Sequence, residues 1–211
     1  MDATIIDFFT TYILTRREPS SYPPPVLTAS EVSALEPGGK LFGLFQRVYA
    51  LHYHSRRNTS PTATTITQAV QVWHDLDIWD PDGDQEGGIP PEPQILLQLY
   101  KHAIFLWTYL IVHPDDIYGR KAQNTMRDIL SGIEEVREVP ELGIFLVIPL
   151  FFGGRAAVLA EHREAVQRGF EHLMEVFGED EIKDPYDSVQ RSWRLYDSGM
   201  QSSWDWMRDD E

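Results

Sequence analysis

The chain has 211 residues, 42% of them hydrophobic, with 33 acidic against 18 basic side chains and a formal net charge of -15. That length and apolar content suffice for a packed core, and with no cysteine present, disulfides, thiolate zinc sites and cysteine nucleophiles are excluded. A surface this negative repels phosphate backbones and anionic headgroups, so neither direct nucleic-acid binding nor membrane association is expected.

Helical periodicity runs from end to end, with no alternating apolar and polar stretch between hairpin turns, which predicts an all-α fold. The expected architecture is a single multi-helix globular domain of about seven or eight helices. The opening residues are acidic and interrupted by Asp7, unlike the basic start of a signal peptide, and read as a helix from Asp2 to about Arg16. A Pro-rich connector from Pro19 to Pro25 follows, so residues 1–25 form an N-terminal helix and linker and residues 26–211 the main domain.

A second helix is expected over Lys40 to Arg57, with Leu41, Leu44, Phe45, Val48, Leu51 and His52 on one face. A third follows Ser60 as N-cap and Pro61 at its first position, placing Ile66, Val70, Trp73 and Leu76 inward. Residues 80–93, rich in Asp, Gly and Pro, read as a long acidic loop. The most apolar helix runs from about Pro93 to His113 and should be central, carrying Leu96, Leu97, Tyr100, Ala103, Ile104, Trp107 and Leu110.

The next helix spans about Asp115 to Val136, its two leading aspartates placed to complement the helix dipole. The apolar run from Leu142 to Phe152 is about half the length a bilayer span needs and contains Pro149, so it reads as a buried segment. Glu161 to Phe177 is amphipathic and closed by Gly178, and a last helix extends from Pro185 to about Met207 with Val189, Trp193, Tyr196 and Met200 or Trp204 on one face.

Three stretches in order resemble the fungal-specific transcription factor domain that lies C-terminal to six-cysteine zinc clusters. Residues 70–81 (Val-Gln-Val-Trp-His-Asp-Leu-Asp-Ile-Trp-Asp-Pro) are similar to its helix ending in Leu-x-x-Trp-x-Pro. Residues 99–110 (Leu-Tyr-Lys-His-Ala-Ile-Phe-Leu-Trp-Thr-Tyr-Leu) resemble its Tyr-Arg-His-Ala helix. Residues 148–157 (Ile-Pro-Leu-Phe-Phe-Gly-Gly-Arg-Ala-Ala) resemble its Trp-Pro-Leu-Phe-x-Ala-Gly-x-Glu-Ala motif, with Ile148, Gly153 and Ala156 departing from it. Arg163 and Trp193 continue the order, so the likeness covers roughly residues 45 to 207.

The resemblance implies an all-α regulatory domain of a nuclear transcriptional regulator, with the zinc cluster absent from this chain. No other motif supplies chemistry. Asp80 to Glu86 imitates a calcium loop, but the glycine and glutamate positions of that loop are taken by Gln85 and Pro91. Asp115-Asp116 and the later Arg127 to Glu135 fall short of the paired magnesium motifs of terpene cyclases. His52, His54, His102, His113, His162 and His172 form no helical metal pair, and no nucleophile elbow or phosphate loop occurs.

The expected function is therefore non-enzymatic: transcriptional regulation through protein partners or self-association, with a small apolar metabolite as effector and no catalytic residue, metal or cofactor. The alternative is a stand-alone enzyme or ligand-binding protein of fungal secondary metabolism built on the same fold. Either use of a pocket points to Tyr100, His102, Trp107, Tyr109, Phe151, Phe152, Arg155 and Trp193 as ligand-binding residues. The nucleus is expected from the family, the cytoplasm otherwise. The aromatic and acidic C-terminal residues, Trp204 to Met207, suit either an activation segment or docking onto the body.

Overall fold

The computed structural model describes residues 5–19, 35, 39–58, 60–80 and 91–208. The expected helix start at Asp2, the connector beyond Pro19, most of the acidic loop and residues 209–211 lie outside them. All regular structure among the described residues is helical, as the periodicity predicts. The chain divides into two compact units, Met1–Ile89 and Pro90–Glu211.

In the first unit, α1 (Ile5–Phe8) continues into a π-helical turn at Phe9–Ile13. Ile5, Phe8, Phe9 and Ile13 are buried, and the Phe8 ring meets Phe42 and Tyr49 edge-on, with centroids 5.7 and 5.5 Å away. The Tyr49 hydroxyl donates to the carbonyls of Tyr12 and Arg17, tying down the end of this turn. Tyr49 belongs to α2 (Lys40–Ser55), whose expected inner face is buried throughout and widened by Phe42 and Tyr49.

The third helix differs from expectation. α3 (Ala63–Asp77) starts two residues later, with Thr62 as N-cap accepting from the Thr65 amide at 3.1 Å. Its buried face is Thr65, Ala69, Val72 and Leu76, whereas Ile66 and Val70 are 42% and 52% exposed. Small residues at 65 and 69 let the backbone of α3 approach its neighbours, and the larger pair sits about 100° around the helix.

The second unit is organised around α4 (Pro91–Val112) and α7 (Val147–Arg155). α4 is long and apolar enough to cross a membrane by composition, yet 67% of that window is buried inside the protein, and it packs most extensively on α5 (Arg120–Val136). α5 begins five residues after Asp115, because residues 113–119 form turns instead; Asp116 is not a helix-terminal carboxylate but accepts the Tyr109 hydroxyl. A short α6 (Pro140–Gly143) and a 3-10 turn at Ile144–Leu146 lead into α7, followed by α8 (Ala160–Phe177), which ends at Gly178 with φ +95° as expected.

α9 (Lys183–Asp197) stops ten residues before the expected end. Gly199 takes φ +100°, its amide and that of Met200 bond back to the carbonyls of Tyr196 and Leu195, and the chain leaves the helix. Met200 is then 47% exposed, while Trp204 is buried in the segment that follows.

Candidate functional site

Pro149 lies within a continuous helical path, and its missing N–H leaves the Phe145 carbonyl without the usual donor four residues on. The hydroxyl of Tyr100, from α4, donates to that carbonyl at 3.0 Å. Tyr100 is fully buried and burial pushes its phenol well above the ordinary range, so it stays a donor. Two motifs 45 residues apart thus complete one hydrogen bond.

Gly154 is the next point of close approach. A Cβ there would stand 2.9 Å from side-chain carbons of both Val166 in α8 and Val189 in α9. The Gly154 carbonyl accepts the Trp193 indole N–H at 2.7 Å, so α9 is pinned to α7 at the same residue. Beside it, the Gln123 amide donates to the carbonyls of Ile117 and Ala156 at 2.7 and 2.9 Å.

Arg155, 2% exposed, ends α7, where the helix's carbonyl end favours a cation. Its guanidinium donates through Nε to the Trp204 carbonyl at 2.7 Å, through Nη1 to the Ser188 carbonyl and hydroxyl at 3.0 and 2.7 Å, and through Nη2 to the Ser203 carbonyl at 3.2 Å. The same cation stands 5.5 and 5.4 Å from the centroids of the Phe151 and Trp206 rings. Trp206 closes an aromatic box with Trp107, Phe151 and Phe152 at centroid distances of 5.5, 5.3 and 5.6 Å. Trp107 and Phe152 stack at 4.5 Å, and the Trp204 indole donates to the Pro114 carbonyl at 2.8 Å. The C-terminal aromatic segment is therefore docked, with Trp204 and Trp206 each 2% exposed.

The eight candidate ligand-binding residues thus fall into distinct settings. Trp107, Phe151 and Phe152 come together with Arg155 at the edge of their box. Tyr100 and Trp193 serve backbone carbonyls of the 145–154 stretch. Tyr109, whose phenol burial and the Asp116 carboxylate push up to about 12, sits at the far end of α4. His102 is half-buried and lines a cleft of about 400 Å³ between α4 and α5, with Gln94, Gln98, Leu99, Asp128 and Glu135. Burial holds its imidazole below the ordinary value, against the charge of Asp128. Among the described residues, no three His, Asp or Glu side chains gather as metal ligands.

A family model described as the fungal specific transcription factor domain matches residues 39–209. The chain belongs to that family. No curated protein and no solved structure matches it. In this family domain, two of the resembling stretches meet at α7: Tyr100 answers Pro149, and the Gly154-Arg155 pair receives α9 and the C-terminal segment.

The first unit carries features that sequence reasoning missed. A pocket of about 360 Å³ lies between α2 and the end of α3, lined by Lys40, Gly43, Leu44, Arg47, Asp75, Ile78 and Trp79. Lys40, Gly43, Leu44 and Arg47 recur at helical spacing, a signal hidden because glycine and two cations do not register as a hydrophobic stripe. The exposed Ile66 and Val70 lie on α3, within residues 58–74, a stretch without any Asp, Glu, Lys or Arg.

Proposed function

We propose that the chain is a non-enzymatic regulatory domain of a nuclear transcriptional regulator, acting through self-association and a small apolar effector. The observation that carries this reading is the family match over residues 39–209. The transcription-regulatory role follows from the family; association, effector response and nuclear placement are the proposal's own. With a net charge of -15 opposing DNA contact, sequence-specific binding would be supplied by another segment or a partner.

The outer face of α3 supports association with a second copy. Ile66 and Val70 lie one turn apart, both about half exposed, with the half-buried Trp73 a further turn on. Two copies of so acidic a chain repel, and residues 58–74, lacking any charged side chain, let them approach. The Tyr100 hydroxyl and the Arg155 guanidinium are committed to backbone carbonyls, which gives both a structural role in holding the second unit together.

Fusing the chain to a heterologous DNA-binding module tests the reading in a fungal reporter strain. Reporter transcription should change severalfold relative to the module alone, and the Ile66→Glu/Val70→Glu double variant should reduce that change. A fusion indistinguishable from the module alone would refute the regulatory role.

A further inference from the structure

We propose that the pocket between α2 and the end of α3 binds a small apolar molecule without net charge. This inference rests on the reading of the chain as an effector-responsive domain and gives the effector a place and a chemical class. The volume, about 360 Å³, falls within the range of roughly 300–1,000 Å³ typical of small-molecule sites.

The glycine in the lining is the first observation. Glycine within a helix is destabilising relative to alanine, and close packing is the usual compensation. Gly132, Gly153, Gly154 and Gly169 have it: a Cβ on any of them would stand 2.7 to 3.2 Å from a side-chain carbon of a neighbouring helix. Gly43 has no such neighbour, and a Cβ there would meet nothing within 4 Å. It lies in the first turn of α2 and lines the pocket, so the missing side chain leaves room instead of a contact.

The walls around that room are apolar. Leu44 and Trp79 are buried side chains that line it, and Ile78, which lines it as well, is 67% exposed. An apolar occupant lying on these three takes Ile78 out of water, which is the driving force for entry.

The charges of the lining do not call for an ion. Arg47 pairs with Asp75, and the other oxygen of that carboxylate accepts the Gln71 amide at 2.8 Å. The Arg47 and Gln71 hydrogen bonds hold the Asp75 carboxyl below the usual range, so the pair stays ionised on both sides. Lys40, which also lines the pocket, is engaged as well. An anionic ligand would compete with Asp75 for Arg47 inside a chain of net -15, and a cationic one would compete with Arg47 for Asp75. An uncharged molecule enters without breaking the pair.

The test uses the full chain and titration calorimetry, with 2-acetylnaphthalene as the neutral probe. Its charged counterparts on the same ring are 2-naphthoate and 2-naphthylmethylammonium. The ketone should bind one per chain, at least tenfold more tightly than either ion. Gly43→Leu should weaken it at least tenfold, with circular dichroism and melting temperature preserved, because the added side chain fills open space on a helix. Ile78→Gln, a change at an exposed position, should weaken it severalfold with the fold intact. Absence of ketone binding, equal affinity for either ion, or binding that Gly43→Leu and Ile78→Gln both leave intact would overturn the site. Reporter activity is read separately. A fusion that regulates transcription from a chain that binds no ketone removes this site alone, and a chain that binds the ketone in a fusion without regulatory effect removes the regulatory reading and leaves the site standing.

Discussion

Gly43 and Gly154 each sit inside a helix, one in each unit, and their surroundings are opposite. Around Gly154 the side chains of Val166 and Val189 fill the space a methyl group would need, whereas Gly43 faces open space beside Leu44 and Trp79. The difference separates two uses of the residue. In the second unit glycine permits helices to touch and lets α7 collect α9 and the C-terminal segment. In the first it keeps a surface concave. In the second unit Trp107, Phe151, Phe152 and Trp206 pack on one another, while on α3 and at its end Ile66, Val70 and Ile78 are left facing solvent.

If the second unit is held together at α7, its largest losses come from the aromatic box and Arg155. Trp206→Ala should cost about 3–5 kcal/mol, the range for emptying a buried aromatic position. Arg155→Met should cost about 2–3 kcal/mol or more, by leaving the carbonyls of Ser188, Ser203 and Trp204 without their donor. Urea unfolding of the pure variants checks both, and losses below about 1 kcal/mol would place the C-terminal segment outside the core.

Next in size are the two close contacts along α7. Tyr100→Phe removes the one hydroxyl that answers the Pro149-freed carbonyl and should cost about 1–3 kcal/mol. Gly154→Ala, forced against both valines, should cost a similar amount, about 1–3 kcal/mol. Pairing Tyr100→Phe with Pro149→Ala sharpens the first point: restoring the backbone N–H should recover part of the loss.

The second unit also carries a pH signature. Burial, the larger influence at both sites, holds the imidazoles of His102 and His162 below their ordinary value. The unfolded chain therefore takes up protons first as the pH falls through about 6.5, so this contribution is constant above that pH and erodes stability below it. Melting temperature should drop between pH 7.5 and 5.5, and a His102→Gln/His162→Gln double variant should drop less over the same interval.

In the first unit the same kind of change works the other way. Gly43→Ala should stabilise the chain by about 0.5–1 kcal/mol, the helix-propensity difference, because nothing opposes the new methyl group. Equal penalties at Gly43 and Gly154 would break the comparison.

Much of this was legible in the sequence. The central position of α4 follows from its near-unbroken apolar composition, and the α2 face from spacing alone. α9 was read ten residues too long because Trp193, Tyr196, Met200 and Trp204 keep helical spacing through Gly199, whose positive φ breaks the helix that the spacing simulates. The α3 face was misjudged because periodicity weighs bulk, and here packing selects the small Thr65 and Ala69 over Ile66 and Val70. The Tyr100 to Phe145 bond joins residues far apart in the chain, and only the fold reveals that a tyrosine in one motif compensates a proline in another. The pocket escaped notice since its lining mixes glycine, cations and apolar residues that no single pattern collects.

The proposal that α7 holds the second unit together while the first offers a surface to a second copy is open to light scattering across a concentration series on the wild type and Ile66→Glu/Val70→Glu. Both substituted residues are about half exposed, so stability should change by no more than about 0.5 kcal/mol. The wild type should approach the mass of a dimer as concentration rises, and the double variant should remain at the monomer mass with an unchanged melting temperature. A wild type that stays monomeric throughout, or a double variant that dimerises equally well, would contradict it.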